Sequence, residues 1–393
     1  MKRNGLVVRI HATLERHFAG GSRRFRGLVS AAALLSLLSA ALPTATGATP
    51  EEPVGPDPRT FASMVDRGIG YLAVHGQAAD GSYSSFAGSG VTALATASLL
   101  RHGRTAQDPA VAKSLRYLEQ CVQADGGIHL PQTRLANYET CVAILCLSEA
   151  NGDGRYDSIL KRADARVRGF QWDEDGGKDK SDFSYGGVGY GGQSRPDLSN
   201  TAFLVDALKA CNAGKEDEAI QNALVFVSRC QNLETEHNTT PFSAKVNDGG
   251  FYYTCALSRQ DESRQTPNGG LRSYGAMSYA GLKSMIYAGL TKDDPRLKAA
   301  VQWIREHYSV TSNPGMGDAG LYYYYHTFAK ALDALGVDRV EDANGVKHDW
   351  RKELAEELAR RQKPNGSWVN DNTVWFEGDP NLVTAYALLA LSY

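Results

Sequence analysis

One short pattern returns six times along this 393-residue chain. Each copy has a glycine-containing turn, usually preceded by Gln or an aromatic residue, and then an apolar segment that opens with Thr or Ser. The turns contain Gly81, Gly126, Gly176, Gly249, Gly317 and Gly366, and the apolar segments open at Thr92, Thr140, Thr201, Ser278, Thr327 and Thr384. Regular self-similarity of this kind is typical of repeat architectures, in which each unit buries its apolar face against the next. Residues 61–393 are therefore predicted to form one domain.

Each repeat contains two helical segments that differ in charge. The first, as in residues 111–120 and 350–359, is charged along one side, which is typical of a helix with one face in water. The second, as in residues 140–147 and 384–391, carries no charge and must be surrounded by protein. Its opening Thr is expected to be an N-cap or first-turn residue.

The last apolar segment decides between an open and a closed arrangement of these helices. An open solenoid needs a polar outer face on its end repeats, whereas residues 384–391 are as apolar as any other inner segment. Closing the pairs into a ring gives this helix a neighbour. We therefore predict an all-α fold, an α/α toroid with about six inner and six outer helices.

The first 48 residues have the composition of an export signal. Residues 1–27 carry seven Lys and Arg against a single Glu, and residues 28–42 form an apolar run of 15 residues, too short to span a membrane as a helix. Small residues at 44–48 provide a cleavage site. Residues 49–60 are predicted to be a Pro-rich tether. The expected location is the periplasm or the outside of a bacterial cell.

The charge and the cysteine content indicate which ligands and covalent links the chain is expected to have. The net charge of −2, without a basic stripe, argues against a nucleic acid as partner. Six cysteines in an exported protein permit disulfides, but Cys141 and Cys146 lie within an apolar segment and are expected to be free. Cys and His do not follow the spacing of metal ligands, so neither a metal nor a cofactor is expected.

Residues 362–368, Gln-Lys-Pro-Asn-Gly-Ser-Trp, are similar to the Gln-to-Trp repeat of the squalene and terpenoid cyclases, and residues 77–83 form a weaker copy. The chain resembles the bacterial prenyltransferase/squalene-cyclase repeat proteins. This resemblance implies an α/α toroid, in agreement with the ring predicted above.

The third repeat resembles the acid motif of the cyclases, Asp-x-Asp-Asp-Thr-Ala. Here Asp197, Ser199 and Asn200 occupy the three acidic places, and the resemblance makes them candidate catalytic residues. In the family the middle aspartate protonates a double bond or an epoxide, and a serine hydroxyl is too weak an acid for that step. Cyclase chemistry by the family's mechanism is therefore doubtful. Capping of the following helix is the alternative role for Asp197.

The residues just before the opening Thr or Ser are predicted to line a central cavity. Glu139 and Met277 are thus candidate ligand-binding residues, and His326 is a further candidate catalytic residue. The segment around His326 resembles the one that carries the zinc-binding histidine of protein prenyltransferases, but the Asp-x-Cys partner motif is missing. Tyr322 and Tyr325 are predicted to face the cavity, where aromatic rings in cyclases stabilise cations by about 0.5–2 kcal/mol per contact. Packing alone is the alternative explanation.

The fourth repeat is longer than the others and contains an insert at about residues 233–274. A loop or hairpin over one end of the ring is expected, serving as a lid or as a partner site.

Two functions remain open, together with a third that is disfavoured. The first is an exported protein that binds an isoprenoid or another apolar small molecule in the central cavity, with peripheral membrane contact compatible with it. The second is a non-catalytic scaffold that binds a protein or a glycan through the ring face and the insert. A zinc prenyltransferase is disfavoured by the missing ligands, so any enzyme of this type would be terpenoid cyclase-like, an isomerase or lyase.

Overall fold

The computed structural model describes residues 54–192, 194–257 and 265–393, and the predicted export signal lies outside them. Six nearly uncharged helices form an inner layer: α2 (Gly90–Arg101), α4 (Ala136–Glu149), α6 (Leu198–Ala210), α9 (Gly275–Tyr287), α11 (Leu321–Leu335) and α13 (Pro380–Leu391). Six amphipathic helices form an outer layer: α1 (Pro58–Tyr71), α3 (Pro109–Gln120), α5 (Asp157–Arg168), α7 (Glu218–Arg229), α10 (Pro295–Glu306) and α12 (Trp350–Arg361).

The inner layer is a closed ring. Each inner helix packs against the inner helices before and after it in sequence, and α13 packs against both α11 and α2. The outer helices pack on the outside of this ring and run antiparallel to the inner ones. The predicted α/α toroid is therefore confirmed. We call the face that carries the N-terminal ends of the inner helices the mouth, and the opposite face the base.

A glutamine at the end of the outer helix ties most repeats to the next one. In the third repeat, Gln171 Nε2 donates to the carbonyls of Gly186 and Ala219, each at 2.9 Å, and Ala219 lies in the first turn of the next outer helix. Gln77, Gln231 and Gln362 make the equivalent bonds to the first turn or middle of α3, α10 and α1. These bonds hold neighbouring outer helices in register.

The glycine of each turn sits against the backbone of the next outer helix. Gly186 has φ +80°, and a Cβ there would lie 1.8 Å from the carbonyl oxygen of Asn222. The equivalent close approaches are made by Gly81, Gly126, Gly249 and Gly366. Gly186, rather than the Gly176 of the sequence pattern, is thus the repeat glycine of the third unit. The insertion of residues 173–185 before it explains the wrong alignment.

The opening Thr or Ser lies inside its helix, between the third and the seventh residue, and is not the N-cap. Thr201 Oγ1 accepts from the Val188 amide at 3.1 Å and donates to the Asp197 carbonyl at 2.7 Å. Amides two residues beyond the repeat glycine are held in the same way by Thr92, Thr140, Ser278 and Thr384. The hydroxyl therefore fastens the turn to the inner helix.

The last repeat closes the ring onto the first. Gln362 Nε2 donates to the carbonyls of Met64 in α1 and of Gly366, each at 2.9 Å. The buried Trp368 ring packs on Gly68, also in α1, and its Nε1 donates to Leu358 O at 2.8 Å. The Gln-to-Trp motif is therefore the clasp between the two ends of the ring.

The fifth repeat departs from this scheme. Tyr308 stands in place of the glutamine, and its hydroxyl donates to Glu353 Oε2 at 2.9 Å. The chain then leaves α11 through a two-stranded antiparallel sheet on the base, β1 (Arg339–Glu341) and β2 (Lys347–Asp349), with Val340 paired to His348. The sequence pattern did not predict these strands.

The insert of the fourth repeat lies at the mouth. Its described residues include a short helix, α8 (Ser243–Val246), and an extended segment in which the Tyr253 carbonyl accepts from the Leu198 amide at 2.8 Å. Loop structure with one helical turn is thus seen where a loop or hairpin was expected. Within the described residues, no helix is long and apolar enough to cross a membrane.

Candidate functional site

Four aromatic side chains meet inside the ring, and we call them the aromatic belt: Tyr138, Phe203, Tyr323 and Tyr386. Tyr138 and Phe203 have ring centroids 5.3 Å apart, Phe203 and Tyr323 6.1 Å, and Tyr323 and Tyr386 5.9 Å. The hydroxyl oxygens of Tyr386 and Tyr138 lie 3.4 Å apart and complete the circuit. Rings at these separations are in contact. The belt therefore closes the lumen and confines any sizeable ligand to the mouth.

The mouth is lined by tyrosines that keep part of their surface in contact with solvent, among them Tyr138 and Tyr323 of the belt. Tyr138, Tyr253, Tyr274 and Tyr323 are half-buried, and Tyr190 is exposed. Tyr253 and Tyr190 are joined by a side-chain hydrogen bond. A small cavity of about 30 Å³ adjoins them, lined in part by Tyr252, Leu271 and Met316. The mouth thus presents aromatic faces with hydroxyl groups at their rims.

The three residues of the altered acid motif lie together beside this wall. Asp197 is buried and caps α6: it accepts from the Asn200 amide at 2.9 Å, from Ser199 Oγ at 2.7 Å and from Asn200 Nδ2 at 2.7 Å. The Tyr253 side chain also bonds to Asp197. Burial raises the pKa of Asp197, and these hydrogen bonds oppose the rise. A hydrogen-bonded chain thus leads from Asp197 through Tyr253 to the exposed Tyr190.

Asn200 has one hydrogen-bonding atom to spare. Its side chain is 1% exposed, and its Oδ1 has no hydrogen-bond partner among the described residues. A buried amide oxygen without a partner costs about 1–3 kcal/mol, so it is a ready acceptor for a ligand hydroxyl. Catalytic roles for Asp197, Ser199 and Asn200 stay predictions.

Carboxylates cap most inner helices at the mouth. Besides Asp197 on α6, Glu139 accepts from the Ser89 amide at 3.0 Å, Asp379 from the Leu382 amide at 2.8 Å, and Glu377 from the Tyr322 amide at 3.0 Å. Parallel helices point their positive N-terminal ends at one face, and these carboxylates compensate them. Sequence reasoning missed Glu377, because it caps α11 from the loop before α13.

One predicted ligand-binding residue, Glu139, is held by the framework. Glu139 also accepts from Thr133 Oγ1 at 2.5 Å and from the Leu130 amide at 3.1 Å, so its buried carboxylate is fully bonded to loops and not directed at the cavity. Met277 is buried at the start of α9, and its role in ligand binding stays a prediction. The structure corrects the expectation that Glu139 lines the cavity.

Tyr322 and Tyr325 point away from the lumen, contrary to expectation. The Tyr325 hydroxyl donates to the Val310 carbonyl at 2.8 Å, and both rings lie within the electrostatic reach of Glu357 and Arg361 of the outer helix α12. Within the tyrosine run, Tyr323 faces the lumen instead. Successive residues of a helix are about 100° apart, so one tyrosine of the run faces inward while its neighbours pack outward.

His326 is separate from the acid-motif cluster. It contacts Tyr386 of the belt and Tyr393, with centroid separations of 5.8 and 6.2 Å, and its Nδ1 has no hydrogen-bond partner within the described part of the chain. Burial and the nearby Lys330 and Lys283 hold the pKa of His326 well below its usual value. The imidazole is therefore neutral at physiological pH, and it lies one helical turn before Lys330.

Three charged side chains meet in the lumen between the belt and the base. Asp206 Oδ2 lies 2.6 Å from Lys283 Nζ and 2.7 Å from Lys330 Nζ, and all three groups are buried. Burial lowers the pKa of Lys283 to about 8, although Asp206 opposes this shift. For Lys330, burial lowers the pKa but the attraction of Asp206 prevails and raises it. Helix C-termini at the base add negative partial charge that favours the second cation.

Sequence reasoning missed this triad, although a signal was present. Asp206 and Lys283 each stand five residues after the opening Thr or Ser, in helices otherwise almost free of charge. Phe203 and Tyr386 of the belt each stand two residues after it. The lumen-facing positions are thus offset from the residue just before the Thr, where a cavity wall was expected.

Comparison with known proteins places the fold. The family model for the squalene-hopene cyclase C-terminal domain matches residues 78–260. The type II terpene cyclase MstE from Scytonema has 14% sequence identity and a TM-score of 0.53, over 86% of this chain and 98% of that one. A variant of MstE in complex with geranylgeranyl dihydroxybenzoate has 12% identity and a TM-score of 0.52, over 85% and 97%. A D-mannose isomerase has 11% sequence identity and a TM-score of 0.52, over 85% of this chain and 97% of that one.

No protein of curated function matches the chain in sequence. At these identities the structural likeness shows the fold alone, and the same ring carries unrelated reactions. The closed double layer of helices, the Gln-to-Trp clasp and the cyclase family match agree with one another. The chain therefore has an α/α toroid fold like that of the terpene cyclases, and its residues 78–260 match the squalene-hopene cyclase C-terminal domain family.

Proposed function

We propose that this protein binds an isoprenoid-like or other apolar small molecule at the mouth of the ring. The observation that carries the proposal is the set of partly exposed tyrosines in and above the closed aromatic belt. Aromatic faces of this kind pack well against flat or branched hydrocarbon. Because the belt closes the lumen, the ligand body would lie against Tyr138, Tyr253, Tyr274 and Tyr323.

One polar contact would orient the ligand. Asn200 Oδ1 is buried and has no hydrogen-bond partner among the described residues, so it can accept a hydrogen bond from a hydroxyl group of the ligand. Support for an isoprenoid comes from MstE, whose complex contains a geranylgeranyl dihydroxybenzoate substrate. The proposal includes export, which rests on the composition of residues 1–48.

Protonation of the ligand by the family's acid is not part of this proposal. Ser199 stands at the place of the acid, and its hydroxyl donates to Asp197 at 2.7 Å. Asp197 accepts hydrogen bonds from four donor groups, which oppose the rise in its pKa that burial causes. Binding without this chemistry is the function that the geometry supports best.

The first experiment is an organic extraction of protein purified after expression with its own export signal, analysed by mass spectrometry. A bound isoprenoid or hopanoid-like lipid in about one copy per chain is the expected result. The eluate of the same protein after denaturation and washing is the control. An empty protein would count against a tightly held ligand.

The second experiment measures binding of geranylgeraniol by calorimetry. Tyr323→Ala and Asn200→Leu should each weaken binding by tenfold or more, because the first removes an aromatic face and the second the hydroxyl acceptor. Tyr325→Phe is the matched control, since that side chain packs outward, and it should change affinity less than twofold. Equal affinity for all four proteins, each folded by circular dichroism, would refute a site at the mouth.

A second candidate function, binding of a protein or a glycan by the ring face, is favoured by one feature. Val374, Trp375 and Phe376 protrude from the mouth with 45%, 47% and 57% exposure, and Phe86 on the adjacent loop is 76% exposed. Trp375 and Phe376 both have positive φ, +55° and +64°, a costly conformation for aromatic residues. A Phe376→Ser variant that loses a specific partner while retaining geranylgeraniol binding would support this function.

A further inference from the structure

Two cysteines of the fourth repeat lie on chain segments that are bonded to each other. Cys230 follows α7 directly, and its carbonyl accepts from the Tyr252 amide at 3.0 Å. The neighbouring residues Gln231 and Phe251 form an antiparallel bridge. Cys255 lies three residues beyond Tyr252 on the same extended segment. The backbone thus holds the segment that carries Cys255 against the end of α7.

The side chains of these two cysteines are in contact. Cys255 is one of the groups that raise the pKa of the Cys230 thiol, and its own Sγ donates to the Phe183 carbonyl at 3.1 Å. Their residues are 0% and 2% exposed. Other cysteines have different partners: Cys141 Sγ donates to Asn137, and Cys146 bonds to Thr96.

We propose that Cys230 and Cys255 form a structural disulfide when the chain folds in the presence of a low-molecular-weight disulfide such as oxidised glutathione. One thiolate attacks the glutathione disulfide, giving a mixed disulfide and one reduced glutathione. The second thiolate then attacks the protein sulfur of this mixed disulfide and releases a second reduced glutathione. Two protein thiols lose two electrons and two protons, and one glutathione disulfide gains them.

The order of events follows from burial. Burial raises the pKa of Cys230 far above that of a free thiol, so the folded pair supplies little thiolate for exchange. Oxidation therefore takes place before the insert is fully packed, and it then persists because the finished bond is out of reach of reductants.

The disulfide would anchor the wall of the mouth. Between the two cysteines lies Tyr253, whose carbonyl accepts from the Leu198 amide and whose side chain bonds to Asp197. Fixing Cys255 to the end of α7 limits how far this segment can leave the start of α6. The bond thus holds together two sides of the tyrosine-lined face.

The test begins with the full chain reduced and unfolded, then refolded in a buffer of oxidised and reduced glutathione. The refolded protein is denatured without reductant, alkylated and examined by mass spectrometry. We expect four of the six cysteines to be alkylated and one linked peptide pair containing Cys230 and Cys255. Six alkylated cysteines, or a disulfide that joins a different pair, would overturn the proposal.

Two variants separate this pair from chance oxidation. Cys255→Ser should retain five thiols that are not linked within the chain, whereas the control Cys211→Ser, at a half-buried position, should keep the Cys230–Cys255 link. Hydrogen exchange of residues 251–257 should slow at least tenfold on oxidation in the wild type and in Cys211→Ser, but not in Cys255→Ser. Unchanged exchange in the oxidised wild type would refute the anchoring role. Should Cys255→Ser fail to refold, Cys230→Ser replaces it.

Discussion

Gly186 is a position at which one added methyl group should measurably destabilise the fold. Its φ of +80° lies in the left-handed region, which costs a non-glycine residue about 1–3 kcal/mol. A Cβ at 1.8 Å from Asn222 O adds a clash with backbone of the next outer helix. We expect Gly186→Ala to lower the free energy of unfolding by about 2–4 kcal/mol, measured by chemical denaturation.

Gly176→Ala is the matched control for this substitution. Its Cβ would come no closer than 3.3 Å to another atom, and its φ is not positive. The free energy of unfolding should change by no more than about 0.5 kcal/mol. An equal loss in both variants would contradict the assignment of Gly186 as the repeat glycine.

Lys283 predicts an unusual dependence of stability on pH. Its folded-state pKa of about 8 is below the ordinary value of 10.5, so the unfolded chain binds more protons across this interval. The contribution of Lys283 to the free energy of unfolding therefore rises with pH between about 8 and 10.5. Buried cysteines and tyrosines act in the opposite direction, so the quantity to measure is the difference between wild type and Lys283→Met.

This difference has a definite sign. Lys283→Met leaves a one-to-one pair of Asp206 and Lys330. At pH 7 the free energy of unfolding of the variant should therefore be at least that of the wild type, and up to about 4 kcal/mol higher. The advantage should shrink as the pH approaches 10. Asp206→Asn, which leaves two buried ammonium groups unpaired, should lose about 3–5 kcal/mol. An advantage of Lys283→Met that grows with pH would disprove the lowered pKa.

The hydrogen bond from the turn amide to the threonine hydroxyl is the contact that joins a turn to its inner helix. Thr201→Val leaves the buried Val188 amide without its acceptor, which should cost about 1–3 kcal/mol. Among the described residues, Thr327 Oγ1 donates to the carbonyls of Tyr323 and Tyr324 of its own helix and accepts no amide of a turn. Thr327→Val should therefore cost less than about 1 kcal/mol. Thermal denaturation of the two variants side by side tests this difference. Equal midpoint temperatures would contradict a stabilising role for the bond between the Val188 amide and the Thr201 hydroxyl.

The arrangement of the elements was largely predictable, because charge alone separates inner from outer helices. Uncharged segments such as residues 140–147 have no stable place except inside a layer of other helices. The alignment of the third repeat was not predictable, since the turn glycines Gly176 and Gly186 both follow Gln171 and sequence spacing favours the nearer one. Only the contact with Asn222 distinguishes them.

The candidate site was predictable in part. Asp197, Ser199 and Asn200 are local in sequence, and the structure brings them together with Tyr253 from a distant segment. The belt and the triad could not be derived in the same way. Which side of an inner helix faces the lumen depends on how the ring closes, and a helix that is apolar on all sides gives no indication of it.

For the whole molecule, the closed ring predicts that its two ends depend on each other. Without residues 380–393, α2 loses the neighbour that covers one of its sides, although the two lie almost 300 residues apart. We expect the backbone amides of α2 to exchange hydrogen at least ten times faster in the truncated chain than in the full chain. In a solenoid, removal of the last helix would leave the first repeat unchanged. Undiminished protection of α2 would therefore contradict the ring.

The clasp between Gln362 and Met64 also has a consequence in time. A ribosome makes the first helix long before the last one, so α1 and α2 emerge without the partners that complete their burial. Contacts between residues this distant in sequence form late and slow the folding of a chain. The amino-terminal repeat therefore cannot complete its burial while the chain is being synthesised. It stays incomplete until α13 has left the ribosome, and during that interval chaperones can still bind the unfinished chain.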